Sequence, residues 1–162
     1  MDINANVIPF IGGEEGKMEV ETQKILGDFA GDHIEPLRAK VSAHCNRVPV
    51  VDGHLVTVSV EFEKKPSEAD LMAAIQGFAG VPQQRKLPSA PPTPVIYMHD
   101  QDRPQPRKDA EREAGMAAFV GRLRPCPVLD WKFIVLGHNT VRGAAGAAVL
   151  NAELMFSEGL LD

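Results

Sequence analysis

Apolar and polar positions alternate most cleanly between Val56 and Phe62, where Val56, Val58, Val60 and Phe62 share one parity and Thr57, Ser59 and Glu61 the other. A period of two is that of a strand with one face buried, and antiparallel pairing is the setting in which the other face stays wet. His54 shares the apolar parity, which puts it at the rim of the buried face, and Asp52-Gly53 just before it reads as a tight hairpin turn. The stretch 39–49 ahead of that turn reads as extended chain. Val95-Ile96-Tyr97-Met98 and the run from Trp131 to Gly137 are short apolar segments that read as strands, and 116–123 reads as another. Helical spacing recurs in Met18, Thr22, Ile25, Leu26 and Phe29, predicting an amphipathic helix over 17–29 closed near Gly27 or Gly31. Ser67 followed three residues later by Asp70 is a capping pair, and it opens a helix carrying Leu71, Ala74, Ile75 and Phe78. An Ala-rich final helix spans 144–156. The apolar piece 6–13 reads as a short strand or a buried connection. Pro-rich loops at 80–94 and 100–109 are long enough to serve function or an interface. Strands interrupted by helices, without regular β-α-β alternation, give an α+β domain with a mostly antiparallel or mixed sheet and helices packed on one face.

A length of 162 residues suits one domain over 1–162, burying roughly 70% of its unfolded surface. The net charge of −5 argues against nucleic acid or an anionic membrane as partner. An anionic small substrate therefore needs a local cluster of positive groups. No apolar run approaches the ~20 residues of a membrane span, and Met1-Asp2-Ile3-Asn4-Ala5-Asn6 does not read as a signal peptide. Cys45 and Cys126 stand far apart, without disulfide framework or zinc spacing, which fits a reducing cytoplasm and no metal.

Candidate chemistry gathers around Arg47 and His54, seven residues apart at the mouth of the alternating strand. A guanidinium grips a carboxylate through a planar fork, and an imidazole takes and gives a proton near neutral pH. The plainer reading is an Arg in a surface ion pair and a strand-end His bonded to a backbone carbonyl. Glu21 and Lys24 lie on one flank of the first helix. They are either an ordinary same-face ion pair, or a carboxylate for a substrate ammonium beside a point charge for a phosphate. Cys45 lies close to His44 and Arg47, but a small buried thiol is the commoner explanation. Gly143-Ala144-Ala145-Gly146 lacks the order and the acidic partner of a dinucleotide fingerprint and reads as close helix packing.

Together these pieces resemble the C-terminal half of aspartate-β-semialdehyde dehydrogenase in its fungal and archaeal form, over nearly the whole chain. The resemblance rests on Asn6-Val7-Ile8-Pro9-Phe10-Ile11-Gly12-Gly13-Glu14-Glu15 at the entry, Glu21-Thr22-Gln23-Lys24 on the helix, and the Arg47-to-His54 separation. Asp102-Arg103-Pro104-Gln105-Pro106-Arg107 and Asn139-Thr140-Val141-Arg142-Gly143-Ala144-Ala145 complete it. It implies the C-terminal domain of a glyceraldehyde-3-phosphate-dehydrogenase-like enzyme. It also implies the NADPH-dependent, reversible reduction of L-aspartyl-4-phosphate to L-aspartate 4-semialdehyde with release of phosphate, in threonine, methionine and lysine biosynthesis. On that likeness Arg47 holds the substrate α-carboxylate, Glu21 its α-ammonium, Lys24 the phosphate, and Asn139 the nicotinamide end of NADP. His54 acts as the general acid/base. The family's nucleophilic cysteine, in a Ser-Asn-Cys-type segment, and its Gly-rich nucleotide domain are both missing from these residues, and neither Cys45 nor Cys126 occupies the nucleophile's motif. The expectation is a homodimer or homotetramer through this domain that neither holds NADP nor turns over alone. The alternative is a free-standing interaction domain that kept the fold and lost the chemistry.

Overall fold

Gly13, at φ +78°, is followed at once by two acidic residues, which favour the positive end of a helix. Helix α1 accordingly starts at once and spans Glu14–Ile25, earlier and shorter than the 17–29 read from apolar spacing. Phe29 has left the helix for β1 (Asp28–Phe29), which pairs antiparallel with β2 (Ile34–Glu35). Gly27 permits that exit, because a Cβ there would collide with the carbonyl of Glu35. The computed structural model describes residues 3–161 and divides into two units, 1–49 and 50–162. Met1 and Asp2, part of the stretch read as lacking a signal segment, lie outside the described residues, as does Asp162.

Unit 1 has no buried hydrophobic side chain among its described residues, so hydrogen bonds do much of the holding. Glu15 Oε1 accepts the backbone N–H of Cys45 at 3.0 Å, and Glu19 Oε1 accepts that of Ala43 at 3.0 Å. Gln23 Nε2 donates to the carbonyl of Ala39 at 2.7 Å. Spaced four apart, these three side chains stack on one face of α1 and satisfy an extended segment that has no sheet partner there. The same segment closes on 6–13 through an antiparallel bridge between Ile8 and Arg47, at 3.1 and 2.9 Å. The piece 6–13 is thus an exposed connection with one bridge, with Phe10 67% exposed, rather than a strand or a buried link.

Unit 2 is built on a four-stranded sheet. Its elements are β3 (His54–Val60), α2 (Glu68–Gln76), α3 (Val81–Gln84), β4 (Val95–Met98) and α4 (Pro106–Asp109). After a 3-10 turn at Arg112–Gly115 come β5 (Ala118–Pro125) and β6 (Trp131–Gly137). A π turn at Val141–Ala145 then leads into α5 (Gly146–Ser157). The order is β3-β6-β5-β4, antiparallel except for the parallel β4–β5 pair, giving the mixed sheet of the expected α+β class. Met98, Ala117, Phe119 and Leu136 form one apolar cluster, and Leu87, Met116 and Leu150 of α5 form another. Gly146 lets α5 begin close to Met116, since a Cβ there would overlap its sulfur.

Several expectations shift. Asp52-Gly53 makes no hairpin, because the partner of β3 is β6, not the chain before it; the bend there is at Val51-Asp52. As an edge strand β3 is thinly covered: Val58 and Val60 are half-buried, while Val56 and Phe62 are each 37% exposed. The loops 80–94 and 100–109 each contain a single helical turn, α3 and α4. Ser67 and Asp70 do form the reciprocal cap of α2.

The 100–109 loop is fastened by Asp109, whose carboxylate is fully buried. It takes a two-pronged grip from Arg103, through Nε at 2.7 Å and through Nη2, and accepts the backbone N–H of Gln105 at 2.7 Å. These bonds, with Arg103 foremost, hold its carboxyl below the usual carboxylate range against the opposing effect of burial. Because the folded value is the lower one, the stability Asp109 contributes is complete above the ordinary carboxylate pKa and disappears as pH falls through the depressed value. Asp109→Ala is expected to lower the unfolding free energy by about 3 kcal/mol at neutral pH, since it strands a largely buried guanidinium. In urea titrations the gap to the parent should narrow in strong acid; an unchanged gap at low pH would assign the effect to packing instead of charge.

Candidate active site

Glu21 and Lys24 project from α1 on the flank away from Glu15, Glu19 and Gln23, as 100° per residue requires. Both are exposed, and no ion pair joins them. Lys24 borders an open groove of about 520 Å³ shared with Phe29, Asp32, His33 and Ile34 of the β1–β2 hairpin. Arg47 is fixed by its backbone bridge to Ile8, which leaves its exposed guanidinium unpaired among the described residues. In unit 1, then, three expected substrate contacts are solvent-facing and none is bonded to another.

In unit 2, His54 opens β3 opposite Gly137 of β6. It is exposed, and its ring makes no hydrogen bond or ion pair among the described residues. The position a Cβ of Gly137 would take has nothing within 4 Å, so space stands open across from His54. Asn139 follows the end of β6, and its Oδ1 accepts the N–H of Gly53 at 2.8 Å. Of a carboxamide's two ends only the oxygen accepts from an N–H, so the group is oriented with its amino end on the other side.

The neighbouring His138 is buried, 4% exposed. Its Nδ1 accepts the backbone N–H groups of Thr140 and Val141, both at 3.3 Å, and Nε2 meets Glu111 at 3.1 Å. Two N–H donors at Nδ1 fix the neutral tautomer with the proton on Nε2. The ring thus caps the turn that starts the last helix. Sequence reasoning passed over His138; its one cue was an acceptor side chain just ahead of a helix start. The Gly53–Asn139 contact joins positions 86 apart and leaves no local sign in the sequence.

The two cysteines are shifted in opposite directions. The Cys45 thiol is pushed above its ordinary value, first by burial and then by Glu15 and Glu14, and its sulfur rests 3.4 Å from that of Met18. Cys126, in the β5–β6 turn, is drawn lower chiefly by the backbone N–H of Leu129, at 3.4 Å. No group of His, Cys, Asp and Glu among the described residues is arranged to hold a metal ion, and no helix among them is long and apolar enough to cross a membrane.

The family described as semialdehyde dehydrogenase, dimerisation domain, matches residues 1–142. Aspartate-semialdehyde dehydrogenase of Archaeoglobus fulgidus is 49% identical over 159 residues, covering 98% of this chain and 45% of its own. The Schizosaccharomyces pombe enzyme of the same name is 46% identical over 166 residues, covering 99% and 46%. A crystal structure of aspartate-semialdehyde dehydrogenase with NADP from Candida albicans matches with a TM-score of 0.92 at 40% identity, over 99% of this chain and 47% of that one. The chain spans about half the length of the curated relatives it matches.

Proposed function

Because the chain belongs to the aspartate-semialdehyde dehydrogenase family, we propose that it forms the substrate-gripping and proton-handling side of that enzyme's site. The substrate pair is L-aspartyl-4-phosphate and L-aspartate 4-semialdehyde. Arg47 takes the α-carboxylate through its fork, Glu21 the α-ammonium and Lys24 the phosphate. His54 moves the proton that must leave or arrive as the carbonyl carbon changes oxidation state. The observation that carries this reading is that Glu21, Lys24, Arg47 and His54 are exposed and have no side-chain partner among the described residues. A zwitterion bearing a phosphate needs one carboxylate and two cations, and these residues offer that set. A solved relative from Vibrio cholerae, 26% identical with a TM-score of 0.73, is described as complexed with ASA.

NADP, when bound, supplies or takes the hydride. The start of the last helix fits its nicotinamide end: the amino group of Asn139 makes no other bond among the described residues, and Gly143, Ala144 and Ala145 are small and exposed. These 162 residues contain no Gly-rich phosphate turn and no Ser-Asn-Cys segment. The rest of the cofactor and the covalent step therefore belong to another segment, and the isolated polypeptide is inactive. Self-association as a dimer or tetramer uses this domain, in keeping with the family's description and with half-exposed apolar residues such as Leu55 and Val56 on the edge strand.

Joined to a nucleotide-binding half that carries Ser-Asn-Cys, the chain is expected to reduce NADP with semialdehyde and phosphate. His54→Asn should lower that turnover by about two orders of magnitude or more with folding intact; near-normal turnover would remove His54 from the mechanism. In the same assay Lys24→Ala should raise the KM for phosphate more than that for semialdehyde, and equal effects would make Lys24 a surface charge only.

A further inference from the structure

Gly53 is the residue on which three parts of unit 2 converge. Its N–H is held by Asn139. Its φ is +101°, and a Cβ there would lie 3.1 Å from Leu136, 3.2 Å from Pro106 and 3.3 Å from Ala110. No L side chain accommodates both that angle and that crowding. Val51 and Asp52 before it are bends outside any ladder, so the bond to Asn139 is the tether just upstream of His54. Asn139 is itself steadied by its neighbour: His138 caps the Thr140 and Val141 amides, which fixes the turn that presents the carboxamide. A chain of contacts thus runs from the buried imidazole of His138 through the Asn139 carboxamide and the Gly53 amide to the backbone of His54.

We infer that Asn139 is a positioning residue for His54, acting through the Gly53 amide, in addition to any contact it makes with the cofactor. The inference rests on His54 as the acid/base of the proposed function. A general base works only within hydrogen-bond reach of its proton, and a shift of about 1 Å can lose a hundredfold in rate. Glycine at 53 allows the required turn but does not hold it; the carboxamide oxygen does. The two ends of this carboxamide then have separate tasks. Its oxygen holds the acid/base strand, and its amino group remains to donate to the nicotinamide side, so cofactor and proton carrier are referenced to one planar group.

Asn139→Asp keeps an acceptor for Gly53 and loses the amino donor, whereas Asn139→Leu loses both. In the 162-residue chain, hydrogen exchange at the Gly53 amide should rise about tenfold or more in the Leu variant, and the ring resonances of His54 should move. Gly53 exchange should stay parental in the Asp variant, with the amides of Phe119 and Leu136 unchanged in each as a check on folding. In the joined enzyme, Asp should raise the KM for NADP with kcat largely kept, and Leu should also lower kcat by about tenfold or more. Parental Gly53 exchange in the Leu variant overturns the inference. So does an Asp variant that loses as much kcat as Leu while Gly53 stays protected. If the joined parent lacks semialdehyde activity, the proposed function fails, and exchange at Gly53 with the His54 ring resonances of the Leu variant still decides whether Asn139 positions that ring.

Discussion

The buried carboxylate of Asp109 is the interaction on which unit 2 depends. Its bonds to Arg103 and to the Gln105 amide draw the 100–109 loop into one helical turn, α4. That turn supplies Pro106 and the adjoining Ala110, two of the three walls against Gly53. A buried charge is tolerable only when its acceptor sites are filled; here the groups that fill them are also those that shape the loop. Arg112 is a third partner at 3.5 Å while lying over the ring of Phe119 at the centre of the core. Charge satisfaction, loop geometry and the seat of Gly53 follow from one side chain.

The two units are held together internally by different means. Unit 2 has an apolar core, with Phe119 and Leu136 fully buried between sheet and loops. Unit 1 has none among its described residues, and α1 does with carboxylates and an amide what a neighbouring strand would do with its backbone. That leaves the opposite flank, with Glu21 and Lys24, free of structural duty.

What was legible in the sequence follows from how local each cause is. The strands at 95–98 and 131–137 and the Ser67–Asp70 cap were readable because a short apolar run or a three-residue spacing defines them. The start of α1 was misplaced because apolar periodicity outweighed Gly13 and the acidic first turn, which are the stronger stop and start signals. The Asp52-Gly53 hairpin failed for a topological reason: a turn residue next to a strand says nothing of which strand pairs with it, and here the partner lies more than 70 residues downstream. That Glu21, Lys24, Arg47 and His54 are exposed follows from their residue types. The tether at Asn139 and the seat for Gly53 were not legible, since each joins segments remote in the chain.

The ladder on α1 also imposes a gauge. Four helical residues advance about 6.0 Å, close to the roughly 6.6 Å covered by two residues of extended chain, so Glu15 and Glu19 mesh with Cys45 and Ala43 like a pinion on a rack. Between Ala43 and Ala39, by contrast, four residues of chain span the single helical turn from Glu19 to Gln23, and that stretch carries slack. Insertions and deletions within 40–42 can be absorbed there. A single residue added or removed between 43 and 45 would turn an amide away from its carboxylate and carry Arg47 out of step with Ile8.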